Sequence, residues 1–208
     1  MKIFSTLFFC SIVIFAAACA PKTVEVPSLE ERGIDEVLAE RQSIQRIEAA
    51  MSVVFEKKDS QMFGDAVLDI TRGGDLQLKV YTLGILGMDL SSRNGVVKSS
   101  PRLDRTKRTI LTQGLRDCLF WWDLRNFALR DDGDYLVMLN ATHAVWLDKK
   151  TLLPAKQQID FGDGKRLTVQ YDAPARQNGI WYQSRIRIEL TRYVVTLQIK
   201  EIGFSRMD

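Results

Sequence analysis

The stretch "WLDKKTLLPAKQQIDFGDGKRLTVQYD", residues 146–172, decides the architecture. Two extended runs, "HAVWLD" (143–148) and "LPAKQQIDF" (153–161), flank "KKTL". An Asp163-Gly164 pair then reverses the chain, because Asp-Gly suits the left-handed backbone of a tight hairpin. Leu167, Val169 and Tyr171 alternate out of that turn, with the period of a strand that buries one face. Successive antiparallel strands follow from this pattern.

The same period continues outward. In "WYQSRIRIEL" (181–190), Tyr182, Ser184, Ile186, Ile188 and Leu190 face one way, and Gln183, Arg185, Arg187 and Glu189 the other. Tyr193, Val195, Leu197 and Ile199 then share one side of "YVVTLQIKEI". Upstream, "FALRDDGDYLVMLN" (127–140) predicts a hairpin around Asp132-Gly133. Before it the period changes. Leu103, Ile110, Leu111, Leu115, Cys118 and Leu119 recur at mostly helical spacing, which predicts a helix over 103–119 with Trp121 and Trp122 at its exit. Gly114 weakens that helix. Still earlier, five runs from "MSVVFEKK" (51–58) to "GVVKSS" (95–100) are separated by the turn signals "KKDS", "RGGD" and "RNG". They predict a five-strand meander. Leu76, Leu78, Val80 and Thr82 form the mostly apolar face of one of its strands. Ile34, Val37, Leu38, Ile44, Ile47 and Met51 predict a first amphipathic helix over 34–49. The expected class is α+β, mainly β: two helices and about 10–11 strands in one domain over 34–208.

The N-terminus carries a different signal. Lys2 precedes a largely apolar run over 3–15, and Ala16, Ala17 and Ala18 supply small residues before Cys19. This predicts a signal peptide over 1–18. Small residues directly before a cysteine resemble the bacterial lipobox. That resemblance implies that Cys19 is acylated and becomes the first mature residue. The residues alone also permit a plain secretory signal cut after "AAA", or an uncleaved anchor of about 18 residues. Residues 19–33 contain two prolines and no clear period, and read as a tether. Ala20 follows the cysteine where Asp would signal inner-membrane retention in enterobacteria, which implies the outer membrane. If the leader is cut before Cys19, Cys118 is left alone and no internal disulfide forms.

Chemistry is otherwise sparse. Net charge is +3, or +2 once Lys2 is removed, so no nucleic-acid partner is implied. "RTKR" (105–108) is diluted by Asp104 and Asp117 and reads as a solvated helix face. His143 is the single histidine and reads as a structural strand residue, so no metal cluster is expected. "RGGD" is a turn rather than a phosphate loop. Asp131/Asp132 and Asp160/Asp163 sit in or beside predicted turns, where Asp bonds local backbone. No cofactor site and no catalytic set emerge, so an enzyme is not expected.

One stretch is odd. "YTLGILGMDL" (81–90) places Leu83, Ile85, Leu86 and Met88 among two glycines at a hairpin tip, which is normally polar. Either the side chains tuck inward around a tight turn, or they form an exposed apolar loop.

Taken together, these parts resemble the LolA-like and LolB-like outer-membrane lipoprotein carriers. "YTLGILGMDLSSRNG" is similar to the LolB region in which a strand ends in "PLG" and an apolar residue protrudes; Thr82 replaces the proline, and Leu83-Gly84 match. "WLDKKTLLPAKQQIDFGDGKRLTVQYD" resembles the superfamily hairpin through Leu147, Asp148, Thr151, Leu153, Pro154, Ile159, Gly164, Val169 and Tyr171. The resemblance implies an incomplete antiparallel barrel, a half-barrel covered by two helices around an apolar cavity. It implies that lipidated Cys19 holds the protein to the outer membrane, facing the periplasm. Leu83, Ile85, Leu86 and Met88 become the membrane- or acyl-contacting loop, and Leu111 and Leu115 the cavity lid. Its partners become acylated lipoproteins and a soluble LolA-like carrier. Another lipid or glycolipid cargo, a sensor role, or a non-enzymatic envelope interaction protein fits the same fold.

Overall fold

The computed structural model describes residues 32–58, 60–162 and 164–206. The leader, Cys19, most of the tether and Asp163 lie outside these residues. A short helix, α1 (Ile34–Gln42), leads into strands β1 (Ile44–Lys57), β2 (Ser60–Thr71), β3 (Leu76–Thr82), β4 (Ile85–Arg93) and β5 (Val96–Ser100). A helical segment follows: α2 (Arg105–Thr109), a π-helical turn (Ile110–Gly114), α3 (Leu115–Leu119) and a 3₁₀ turn (Trp121–Asp123). The second meander contains β6 (Ala128–Asp132), β7 (Tyr135–Leu139), β8 (His143–Asp148), β9 (Pro154–Asp160), β10 (Arg166–Gln177), β11 (Ile180–Leu190) and β12 (Tyr193–Arg206).

All twelve strands form one antiparallel sheet in the order β5-β4-β3-β2-β1-β12-β11-β10-β9-β8-β7-β6. The two meanders join where β1 pairs with β12, from Ile47 opposite Phe204 to Lys57 opposite Tyr193. β5 and β6 are the free edges, so the sheet is open, as expected of an unclosed half-barrel. Twelve strands slightly exceed the 10–11 read from sequence. The five-strand meander and the helix after Pro101 lie where their patterns place them.

The first helix is shorter than its pattern suggests. It ends at Gln42, and β1 begins at Ile44. Ile47 and Met51 are four residues apart, a spacing that a helix stripe and a strand face share. Ala49 and Val53 complete the buried face of β1. Pairing on both sides, with β2 and β12, settles the conformation.

The core lies between one face of the sheet and the helical segment. Ile110, Leu111, Leu115, Cys118 and Leu119 join residues of both meanders in one buried cluster. Gly114 explains the close seating of the segment: a Cβ there would stand 3.0 Å from Leu167 Cδ1. Both ends are tied. Asp104 Oδ1 accepts the Lys107 N–H at 2.9 Å as an N-cap, and Oδ2 accepts the Tyr193 hydroxyl at 2.9 Å. Partial burial would raise the Asp104 carboxyl, but these two donors hold it below its ordinary value. At the other end the Tyr171 hydroxyl lies 3.0 Å from the Cys118 carbonyl and 2.6 Å from Gln157 Oε1.

Candidate functional site

The tied segment leaves an apolar cleft against the first meander. Its volume is about 200 Å³. Met51 and Val53 of β1, Leu78 and Val80 of β3, and Met88 of β4 form its floor and walls. Leu103, Leu111 and Leu115 cover it. Leu111 and Leu115 line it from the helical segment.

Phe55, Met62, Phe63, Gly64 and Gly87 also line the cleft, near the ends of β1 to β4. Several apolar side chains here face solvent. Met62 is 52% exposed and Phe63 60%. Beside them, the β3–β4 hairpin exposes Leu83 by 97% and Ile85 by 73%, with Leu86 also exposed. Met88 parts company with these three. It is buried in the cleft wall, because a bulge shifts the register between Val80–Met88 and Tyr81–Leu86. Sequence reasoning missed Met62 and Phe63. Their signal was an apolar pair beside Gly64, directly after a polar turn.

The turn does not account for Leu83. Thr82 pairs with Ile85, so the loop is Leu83-Gly84, with φ of 51° and 78°. Two left-handed residues match a tight hairpin. Gly suits such a backbone at no cost, but a leucine there costs roughly 1–2 kcal/mol. An exposed leucine in an unfavourable conformation makes no packing contact that repays it.

The opposite end of the segment is polar. Arg72, from "RGGD", donates to Asp123 Oδ1 at 3.0 and 2.6 Å, and Arg116 pairs with both Asp123 and Asp117. Arg72 therefore ties the β2–β3 turn to the helical segment. His143 Nδ1 lies 2.9 Å from Thr142 Oγ1, and Nε2 lies 3.7 Å from Asp117 Oδ2. Burial pushes the Cys118 and Tyr171 protons up in pKa, so both groups stay neutral and inert. Asp131 instead holds Lys149 at 2.7 Å, and Asp132 accepts from Trp146 Nε1 at 3.2 Å. Among the described residues, no group of three His, Cys, Asp or Glu is placed to hold a metal. Nor is any described helix long and apolar enough to cross a membrane.

Solved structures share this overall fold. A DUF1329 family protein from Desulfovibrio piger superposes with a TM-score of 0.56 at 12% identity, covering 82% of this chain and 90% of its own. A LolA superfamily protein from Nitrosomonas europaea gives 0.54 at 11% identity, over 84% and 94%. The fold is LolA/LolB-like. A domain from Vibrio parahaemolyticus described as outer membrane lipoprotein-sorting matches more loosely, at 0.48 and 14% identity over 82% and 91%. In sequence, no family model matches the chain and no curated protein does. The likeness is therefore one of overall fold rather than of sequence.

Proposed function

We propose that this chain is a non-enzymatic, membrane-tethered periplasmic lipid carrier that takes up lipoprotein acyl chains and helps deliver them to the outer membrane. The apolar cleft beneath the helical segment carries this reading. Acyl surface leaves water on binding there, at about 0.8 kcal/mol per methylene. No covalent step is needed, and transfer follows when a receiving site or bilayer binds the chain better.

The remaining parts fit that role. Signal cleavage before Cys19 and acylation of its thiol provide the anchor, since two or more acyl chains hold stably to a bilayer. Residues 19–33 tether the half-barrel. Leu83, Ile85 and Leu86 touch the membrane, and Met88, Leu111 and Leu115 touch the acyl chain. A soluble LolA-like protein hands over the cargo.

Depletion in the host, followed by envelope fractionation, tests this. Acylated lipoproteins are expected to accumulate in the periplasm or inner membrane. An unchanged distribution, with a different lipid co-purifying with the chain, transfers the cleft to another cargo and refutes the lipoprotein role.

A further inference from the structure

Beside the cleft lies an open depression of about 730 Å³ with a strongly basic lining. Lys57 at the end of β1, Arg105 of α2 and Arg192 in the β11–β12 turn line it, and Lys107 of α2 lines the neighbouring cleft. Three of these cations surround the buried Tyr193 ring. Lys57 Nζ is 5.3 Å from its centroid, Arg192 Cζ 5.6 Å and Lys107 Nζ 6.0 Å. Cation–π attraction holds them over the ring. Among the described residues, no carboxylate forms an ion pair with Lys57, Arg105, Lys107 or Arg192. Asp104 is the one described carboxylate in the lining, and it is already engaged by Tyr193 and by the Lys107 N–H. Asp104 offsets only part of this charge, so the lining keeps a net positive potential that an anion relieves.

This depression adjoins the apolar cleft. The Tyr193 and Phe55 rings lie 5.6 Å apart, and Phe55 lines the cleft. Lys107 Nζ, from the cleft lining, stands 5.0 Å from the Phe55 centroid and 6.0 Å from that of Tyr193. An acyl chain in the cleft would bring its polar end within one ring of the cations. We infer that the site also takes an anionic amphiphile, whose chain fills the cleft and whose phosphate or carboxylate head sits against Lys57, Lys107 and Arg192. This inference rests on the acyl-binding reading of the cleft and adds a second ligand class to the lipoprotein acyl chains, whose glyceryl-cysteine end carries no phosphate or carboxylate.

The test uses the full chain in zwitterionic nanodiscs, with three photoactivatable 16-carbon probes that differ only in head group: phosphate, phosphocholine and neutral glycerol. The phosphate probe is expected to label the cleft about tenfold more than the neutral probe, as expected for a charge-assisted contact. This preference should shrink as salt rises. Lys57→Gln and Arg192→Gln should each remove most of it, while neutral-probe labelling changes less than twofold. Equal labelling by all three probes leaves acyl binding intact and overturns the head-group site. No cleft labelling by any probe defeats the acyl reading itself, and the inference with it. If inorganic phosphate protects Lys57 from amine acylation as well as the phosphate probe does at equal concentration, the ligand is a free anion and the amphiphile is ruled out.

Discussion

Gly64 offers a sharp test of how the cleft is built. It faces the cleft from β2, one residue beyond the point where Asp65 pairs with Tyr81. A Cβ at Gly64 would lie 2.8 Å from the Tyr81 carbonyl oxygen and 2.8 Å from Val80 Cγ1. Val80 can adjust its rotamer, but the carbonyl is backbone, so β3 itself must shift. Overpacking of this kind costs about 1–3 kcal/mol. Alanine recovers about 0.5–1 kcal/mol by restricting the unfolded chain. Gly64→Ala should therefore destabilise by about 1–2 kcal/mol, lowering Tm by about 2–8 °C at this chain length. Gly87→Ala is the matched control. It also lines the cleft, but its Cβ would meet Thr82 Oγ1 at 3.5 Å and the Val80 carbonyl oxygen at 3.7 Å, ordinary contacts. That variant should stay within about 0.5 kcal/mol of the parent. Thermal and urea unfolding followed by circular dichroism measures both. If Gly64→Ala melts at or above the parent, or Gly87→Ala falls as far, β2 and β3 do not converge as described.

Three further predictions follow from named contacts. Cys118 is 1% exposed with its thiol pKa pushed up by burial, so a colorimetric disulfide reagent should react with it only after unfolding; rapid reaction of the native chain contradicts the seating of the helical segment. Asp123→Asn strips the shared carboxylate from Arg72 and Arg116, which are 25% and 33% exposed. Discounted for that exposure, the loss should be about 2 kcal/mol in urea unfolding, and a change under 0.5 kcal/mol would show the network to be incidental. Leu83→Asn places a residue that tolerates left-handed backbone at a fully solvated tip. Its Tm should hold or rise while binding of the Cys19→Ser chain to phospholipid vesicles falls, and unchanged vesicle binding would remove Leu83 from the membrane contact.

Local order was legible where one physical rule dominated. The alternation in β3 and in β10 to β12 gave their buried faces directly, because each has one wet and one dry side. β1 was harder. Its apolar residues satisfy two periods, and only its pairing with β2 and β12 separates them. The same divide runs through the candidate site. Leu111 and Leu115 were legible as buried residues because an apolar helix stripe must pack against something. Met88 was grouped with the exposed tip because a one-residue bulge, invisible in composition, turns it inward. The basic cluster was hidden for another reason. "RTKR" alone resembles a solvated face, and Lys57 and Arg192 lie far from it in sequence. Their meeting at Tyr193 is a product of the β1–β12 pairing.

The ties of the helical segment also bear on how the proposed acyl cargo would reach the cleft. The helical segment is fixed at Asp104–Tyr193 on one end and at Cys118–Tyr171 and Arg116–Asp123 on the other. Lifting it would break all of these and expose Ile110, Leu115 and Cys118 to water. The exposed side chains of Met62 and Phe63 at the rim carry no such bonds, and a methionine side chain reshapes easily. The cleft is smaller than the roughly 300–1,000 Å³ of ordinary ligand pockets, so a long chain enters only if something moves. The cheaper movement is at the rim. Loading through the rim leaves Cys118 as protected in the presence of an acyl ligand as in its absence. Loading by lifting the segment exposes the thiol in proportion to the rate of exchange. Thiol labelling during ligand turnover therefore separates the two routes, and acceleration by ligand would refute loading at the rim.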